Sequence, residues 1–425
     1  MMTEKNFDII VAGGGFAGAA AAISAARQGK KTLLIEKYNC LGGAAAYDLV
    51  NPFMPYWTHD PADPKKRIDL SRGLFSELLE RMKKEGGLKE ANGCCTFNEE
   101  ILKYVLNQMA AESGVHLLYQ TYLTGVRREG RRLTSVTVSN VSGTDELSAA
   151  CFIDATGDAN LTNLAGASFT LGREGDHLCQ PMTLCFRLAN APVHYSKDLQ
   201  KRVNEKYAEL QKKGEIRNPR ENVLVFHTVV DGILHFNTTR VIRLNPTDGE
   251  AVTQAELIAR EQVMECYCFL KENFEEFRDS VLLSTGIQIG ARESRMIHGD
   301  YTLTEQDLLA FTKFEDGIAA CNYDIDIHSP DGSGTSHYYF PNGAYYTIPY
   351  RCLISADADN LLAAGRCISA THEAQASVRI MPTCCTMGEA AGIAAAMAVE
   401  KNGDVRAIDI QELRSALRKN GALVD

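Results

Sequence analysis

The sequence predicts an α/β protein of two domains, and three observations lead to this prediction. The chain has 425 residues, which is more than a single hydrophobic core usually organises. A glycine-rich turn near the N-terminus joins a buried strand to a helix, as in Rossmann-like domains. Beyond Arg173 the pattern changes to longer strands and a helix over roughly 253–274, typical of an α+β unit. We therefore expect a Rossmann-like domain with an inserted α+β domain.

The first predicted element is a βαβ unit. The run FDIIVAG at residues 7–13 predicts a buried strand. The alanine-rich run at 17–31 predicts a helix that closes on Gly29, and TLLIEK at 32–37 predicts the second strand. Two parallel strands joined by a helix form the core of a nucleotide-binding fold.

The turn of this unit carries a dinucleotide signature. Gly13, Gly15 and Gly18 have the G-x-G-x-x-G spacing, in which the glycines permit a tight turn, a close pyrophosphate and helix–strand packing. Free N–H groups and the dipole at the helix start favour a phosphate. Glu36 ends the second strand, where an acid accepts hydrogen bonds from ribose hydroxyls. The combination predicts a dinucleotide site.

The middle of the chain predicts an excursion and a return to the sheet. Residues 51–95 lose clear periodicity except for a helix ending at Gly86. EEILKYVLNQMAAESG then predicts an amphipathic helix and VHLLY a strand, followed by a meander that leads through ELSAACFIDATGD into a central strand.

The later part predicts longer strands, a long loop and a final helix. NVLVFHTVV and GILHFNTTRVI predict extended strands, and SVLLSTGIQIGARESR and LTEQDLLAF predict a further strand and a short helix. Residues 326–351, rich in Gly, His and Tyr, predict an irregular loop that forms a lid, with tyrosines suited to a sugar. NLLAAGR then leads into the last long helix.

Several segments together resemble a known family. EKYNCLGGAA, FIDATGD and NLLAAGR, at 36–45, 152–158 and 360–366, resemble the glutathione-reductase-like FAD superfamily. GARESRMIHGDYTLTEQD, YTIPYRCLI and NLLAAGRCISATHEAQASVRIMPTC extend the likeness to the broad bacterial family of FAD-dependent oxidoreductases. The resemblance implies a discontinuous FAD-binding domain at 1–50, 96–176 and 345–400, a cap at 51–95, a substrate domain at 177–344, and a helical tail at 401–425.

The resemblance also implies which residues bind FAD. They are Gly13, Gly15, Phe16, Ala17, Gly18, Glu36, Lys37, Gly42, Gly43, Ala44, Ala155, Thr156, Gly157, Gly365, Arg366, Pro382, Thr383 and Cys384. Proline suits the first turn of the last helix, whose start would point at the flavin, and the small residues Gly388 and Gly392 would permit close approach.

The cysteines of this region, Cys384 and Cys385, are expected to be small buried residues, because they lack the C-x-x-C spacing of redox pairs. We expect the same of Cys94, Cys95, Cys266 and Cys268. No Cys/His set has the spacing of a metal site, so we expect none.

The candidates for chemistry lie near the segments assigned to the flavin. His372 is the first candidate for a catalytic acid or base, because imidazole titrates near neutral pH; alternatively it only hydrogen-bonds the flavin or its loop. Arg292 and Arg295 are candidates for holding a carboxylate in a bidentate fork, or for joining the domains. The further candidates are Tyr301 for catalysis and His298, Arg351 and Arg379 for substrate.

These observations predict an FAD-dependent oxidoreductase that transfers a hydride between flavin and a small polar molecule. The reaction is C–OH oxidation or C=C reduction, with a sugar or a carboxylate as substrate. The alternative is a flavoprotein component of an electron-transfer or RNA-modifying complex. An electron-transfer partner and a homo-oligomer are both compatible with this interpretation.

The composition of the chain argues against some classes of binding partner and indicates a cellular compartment. The formal net charge of −10 offers no basic surface for nucleic acid or anionic membranes. The N-terminus lacks signal-peptide features, and no apolar run reaches the length of a membrane span. Thirteen cysteines without an export signal predict reduced thiols in the cytoplasm.

Overall fold

A computed structural model of this chain describes residues 4–91 and 94–425, without the side chains of Ala91 and Cys94. In these residues the α-helices are α1 (Phe16–Arg27), α2 (Leu74–Lys84), α3 (Glu99–Glu112), α4 (Asn160–Leu164), α5 (Lys197–Lys212), α6 (Gly249–Asn273), α7 (Glu305–Leu309), α8 (His372–Val378), α9 (Met381–Val399) and α10 (Ile410–Lys419). The β-strands are β1 (Asn6–Ala12), β2 (Thr32–Ile35), β3 (Trp57–Asp60), β4 (Asp63–Asp69), β5 (Leu88–Ala91), β6 (Cys94–Phe97), β7 (His116–Leu118), β8 (Tyr122–Glu129), β9 (Arg132–Asn140), β10 (Gly143–Asp154), β11 (Phe169–Leu171), β12 (Phe186–Ala189), β13 (Val225–His227), β14 (Leu234–Phe236), β15 (Val281–Thr285), β16 (Arg295–Ile297), β17 (Gly317–Cys321), β18 (Ile325–His328), β19 (Thr335–Tyr338), β20 (Tyr346–Pro349) and β21 (Leu361–Ala363).

The largest sheet has seven strands in the order β7-β2-β1-β10-β9-β8, and β21 also pairs with β10. Strands β7, β2, β1, β10 and β21 run parallel, whereas β8 and β9 form the antiparallel meander that the sequence predicts. The predicted N-terminal βαβ unit is therefore confirmed. Because parallel strands point their carboxyl ends to one edge, the turns after β1, β2, β10 and β21 meet there.

Helices α1 and α9 pack closely together beside this sheet. A Cβ atom on Gly388 would collide with the backbone of Ala17, and one on Gly392 would collide with the backbone of Ala21. The two glycines of α9 therefore permit close approach of α1. This agrees with the prediction that these small residues permit close approach of a neighbouring backbone.

We expect Gly392→Val to destabilise the protein. The added side chain must displace the backbone of α1 at Ala21, and overpacking of a core typically costs about 1–3 kcal/mol. Thermal unfolding measures the loss. Gly249→Val is the control, because a Cβ at Gly249 meets no atom within 4 Å. Equal melting temperatures for the two variants would contradict the packing of α1 against α9.

A second hydrophobic core lies within residues 182–289. It combines α5 and α6 with one face of the antiparallel sheet β13-β14-β12-β15. Alternate residues on two of its strands enter this core, namely Phe186 and Leu188 on β12 and Leu234 and Phe236 on β14. The other face of the sheet carries the residues between them, because side chains alternate along a strand.

Two segments differ from the predicted elements, whereas the predicted helix ending near Gly86 is present as α2. Strands β13 and β14 are short, because the chain turns between them where Thr228 bonds the carbonyl groups of Val230 and Ile233. The predicted irregular loop at 326–351 contains the hairpin β18–β19 and the strand β20. Helix α2, within the predicted cap, contributes Leu74, Phe75, Leu78 and Met82 to the core that also contains α1 and α9.

Candidate functional site

The predicted cofactor residues gather at one edge of the seven-stranded sheet. They follow β1, β2, β10 and β21, or begin α9. Two glycines of the first turn are required by the protein itself. A Cβ on Gly13 would collide with the carbonyl group of Ala155, and one on Gly18 would collide with the carbonyl oxygen of Gly13. These glycines let β1, β10 and α1 approach one another.

Gly15 is different, because no protein atom requires a glycine at this position. Its added Cβ would meet only the Cα of Gly43, at 3.8 Å. Helix α1 has no side-chain cap, and within the described residues the backbone N–H groups of Phe16 and Ala17 have no acceptor. Free N–H groups and an open approach at a helix start fit a pyrophosphate. The residues present therefore fit FAD here.

Glu36, which is predicted to accept hydrogen bonds from ribose hydroxyl groups, directly follows β2. Its carboxylate is buried and accepts hydrogen bonds from the N–H of Gly14 at 2.5 Å and of Tyr38 at 2.9 Å. The adjacent Lys37 side chain is exposed and lies over the Tyr38 ring. The Gly42 N–H donates to the carbonyl of Gly14, so the 42–44 turn lies against the glycine turn.

The turns after β10 and β21 complete this edge. Thr156 donates from its N–H and hydroxyl to the buried Asp154, and Gly157 has a φ of +79°. The Arg366 guanidinium pairs with Asp158 at 2.7 Å and covers Gly157. These contacts place Ala155, Thr156, Gly157 and Arg366 together, as the resemblance implies.

The start of α9 faces the same region. A Cβ on Gly365 would lie 3.0 Å from the Cβ of Ala17 and 3.9 Å from the sulfur of Cys384. Pro382 lies in the first turn, as predicted, and α9 has no side-chain cap. A helix start without a cap favours negative charge, which suits a reduced flavin. Thr383 is buried beside them.

The cysteines of α9 are packed thiols. Burial raises the pKa of Cys384 to about 12 and raises the pKa of Cys385 well above its ordinary value. Cys384 donates to the carbonyl of Arg379. Cys95 and Cys266 are also buried, whereas the prediction for Cys268 is wrong because that residue is exposed on α6. The side chain of Cys94 lies outside the described residues.

His372 forms a buried pair with a carboxylate that the sequence analysis missed. It begins α8, and its Nδ1 lies 2.7 Å from Oε1 of Glu293. Glu293 is 0% exposed, and its other oxygen accepts the N–H of Gln180 at 2.8 Å. A carboxylate on Nδ1 holds the proton there and leaves Nε2 with its lone pair. The hydrogen bond to Glu293 thereby fixes the orientation of the His372 ring.

Arg292 directly precedes Glu293 in the chain and has no ion pair with an acidic residue in the part of the chain that the structure describes. Its guanidinium donates to the carbonyl of Pro181 at 2.7 Å, to the Thr183 hydroxyl, and to Oδ1 of Asn237 at 3.1 Å. Burial, together with the charges of Arg220 and Arg379, lowers the pKa of Arg292 to about 9. Gln375 of α8 donates to the Arg292 carbonyl at 3.0 Å. The structure therefore connects this arginine to the His372 segment.

Arg379 lies in the same charged group. It approaches Asp326 at 3.8 Å, and its buried Nε has no partner within the described residues. Arg220 is buried and lies 3.7 Å from Glu221. Asp326 lies within ion-pair distance of Arg379, and Glu221 lies within ion-pair distance of both Arg220 and Arg240. Arg292 forms no ion pair among the described residues.

Four predicted site residues make other contacts. Arg295 donates to the Asp158 carbonyl and to Asn160, which joins two parts of the chain. His298 is exposed and bonds Thr170. Tyr301 donates to Asp307, the N3 residue of α7, and Arg351 pairs with Asp316 and stacks over the Tyr301 ring. None of these described contacts involves His372 or Arg292.

Several residues that bond His372, Arg292 or Glu293 carry no motif in the sequence. Glu293 lies between the two arginines of the run GARESR, and no spacing in the sequence relates it to His372. Asn237 and Gln180 lie in runs without a motif. Asp48 is a buried carboxyl group, and burial raises its pKa to about 7.

Within the described residues, we find no cluster of His, Cys, Asp or Glu suited to a metal, and no helix long and apolar enough to cross a membrane.

The chain is similar to one protein family and to several proteins of known structure. The family model described as FAD dependent oxidoreductase matches residues 8–417. A geranylgeranyl bacteriochlorophyll reductase-like protein of Thermoplasma acidophilum is 14% identical, with a TM-score of 0.48 over 98% of this chain and 84% of that chain. A flavoprotein/dehydrogenase of Cytophaga hutchinsonii is 13% identical, with a TM-score of 0.46 over 98% and 83%.

A third structure is the p-nitrophenol 4-monooxygenase of Pseudomonas putida, which is 11% identical. Its TM-score is 0.45 over 97% of this chain and 84% of that chain. No curated protein matches this sequence.

Proposed function

This chain belongs to the FAD dependent oxidoreductase family, and from that membership we propose that it oxidises a C–OH group of a small carboxylate substrate. The protein is an enzyme, and its cofactor is FAD. Bound FAD supplies a two-electron acceptor that takes a hydride from carbon. The residues described above must bind the substrate and receive its proton.

The observation that carries the proposal is that the Arg292 guanidinium forms no ion pair within the described residues. Its hydrogen-bond acceptors are the Pro181 carbonyl, the Thr183 hydroxyl and the Asn237 amide, all of which are neutral. A partly buried cation without a counter-ion is unfavourable, and a carboxylate ligand removes this cost. The planar guanidinium can hold a carboxylate through two parallel hydrogen bonds.

His372 supplies the base for the hydroxyl group. Because Glu293 holds Nδ1 at 2.7 Å, Nε2 is free to accept the proton of the substrate O–H. As the O–H proton moves to Nε2, the C–H hydride leaves, and the C–OH carbon becomes a carbonyl. This arrangement favours oxidation of a hydroxyl over C=C reduction, which requires a proton donor.

We expect Arg292→Gln to weaken binding of 2-hydroxy acids by about 100-fold, because truncating one partner of a buried charge pair costs roughly 2–5 kcal/mol. Anaerobic flavin bleaching, titrated with lactate, malate and gluconate, gives the affinity and identifies a reducing substrate. Arg217→Gln is the control, since the Arg217 side chain is 82% exposed. Bleaching by neutral alcohols alone, or an unchanged affinity in Arg292→Gln, would overturn the proposal.

A further inference from the structure

The antiparallel sheet of the second core has a polar face that the proposed reaction does not use. The register pairs Phe226 with His235, His235 with Arg187, and Arg187 with Ser284. These four residues therefore form one row across the sheet. Their neighbours Phe186 and Leu234 lie in the second core, so the row faces away from that core.

The row lies next to the residues that hold Arg292. Asn237 directly follows β14, two residues after His235, and its N–H donates to the Leu224 carbonyl, which continues the β13–β14 ladder. Asn237 therefore lies on the same face as His235 and accepts a hydrogen bond from Arg292. Two residues along a strand span about 7 Å. His235 is thus placed about 7 Å along the strand from the residue that bonds the proposed carboxylate anchor.

His235 has no hydrogen-bond partner within the described part of the chain. The residue is 1% exposed, and neither ring nitrogen has an acceptor or donor there. Burial, with the charge of Arg187, lowers its pKa to about 3, so the ring is neutral and offers one N–H and one lone pair. Leaving such buried groups without partners costs about 1–3 kcal/mol each. A ligand that both donates and accepts removes this cost.

The contacts of Arg187 indicate which kind of ligand this row of residues can bind. Its guanidinium forms an ion pair with the buried Glu99, so its charge is already compensated. Its buried Nε–H, however, has no partner among the described residues. The Phe226 ring lies 6.1 Å from the His235 ring, measured between centroids. The row thus offers the neutral donor and acceptor of His235, the Nε–H of Arg187 and the ring of Phe226. These groups suit the hydroxyl groups of a carbon chain better than a second anion.

We propose that Phe226, His235 and Arg187 form a subsite for the hydroxyl-bearing part of the substrate, which is therefore a polyhydroxy acid of the sugar-acid type. This inference rests on the proposed function, because Arg292 provides the anchor for the carboxylate. Lactate carries the carboxylate and one hydroxyl only, whereas gluconate adds further hydroxyl groups. Gluconate is therefore expected to bind more tightly than lactate.

The test compares two substitutions of similar size at His235. Calorimetric titration of the FAD-loaded protein with sodium gluconate and with sodium lactate gives the two affinities. His235→Leu is expected to weaken gluconate binding by about tenfold, as expected for loss of one buried hydrogen bond, without changing lactate binding. His235→Gln retains a donor and an acceptor and is expected to recover most of the gluconate affinity. His227→Leu, an exposed histidine on β13, is the control.

The outcomes separate this inference from the proposed function. If both acids bind through Arg292 but His235→Leu and His235→Gln bind gluconate equally well, the subsite is wrong and the proposed function stands. If neither acid binds or bleaches the native enzyme, the proposed function fails and this inference fails with it. Melting temperature and FAD content identify variants that do not fold, and the Gln variant then carries the comparison with native protein.

Discussion

Gly15→Val is expected to give a folded protein that does not retain FAD. The protein itself accepts a side chain here, since an added Cβ meets only the Gly43 Cα at 3.8 Å. The same Cβ would occupy the approach to the free N–H groups of Phe16 and Ala17, where we place the pyrophosphate. We expect FAD affinity to fall by about 100-fold, equivalent to about 2.7 kcal/mol.

The measurement is the flavin-to-protein ratio of the purified protein, together with FAD titration of the apoprotein and its melting temperature. Gly249→Val is the matched control, because a Cβ at Gly249 meets no atom within 4 Å. Gly18→Asp should also lose FAD, but with a loss of stability, because its Cβ would collide with the Gly13 carbonyl oxygen. Full flavin content in Gly15→Val would refute the assignment of this turn to the pyrophosphate.

His372→Ala is expected to retain FAD and to lose the chemical step. The imidazole is the proposed acceptor of the substrate proton, and general base catalysis typically contributes about 10²–10⁴-fold to the rate. Its pair with Glu293 at 2.7 Å holds the ring in place. The measurement is the rate of anaerobic flavin reduction in a single turnover at saturating substrate.

Two further variants give this prediction its controls. Glu293→Gln keeps a hydrogen-bond acceptor for Nδ1 but removes the charge, so we expect a smaller loss of rate with a shifted pH profile. His227→Ala, at an exposed site on β13, should leave the rate unchanged. An unaltered rate of flavin reduction in His372→Ala would exclude this residue as the base and leave it as a hydrogen-bonding residue of the flavin loop.

Local patterns were sufficient to predict the βαβ unit that carries the proposed cofactor site. The glycine spacing, the strand before it and the helix after it lie within Asn6–Arg27, and Glu36 follows one strand later. A turn of this kind depends on backbone conformation and on periodicity over a few residues, both of which the sequence displays. The sequence by itself therefore determined the βαβ unit, and motifs along the whole chain indicated the FAD dependent oxidoreductase family.

Only the tertiary structure shows which residues lie together at the proposed substrate site. Glu293 meets His372 across 79 residues, and Thr183 meets Arg292 across 109, because the packing of separate sheets and helices brings them together. The same packing placed Tyr301 and Arg351 in contacts with Asp307 and Asp316 instead of with His372. Local periodicity predicts which face of an element is buried but not which distant polar groups meet there, since that depends on how the elements pack in three dimensions.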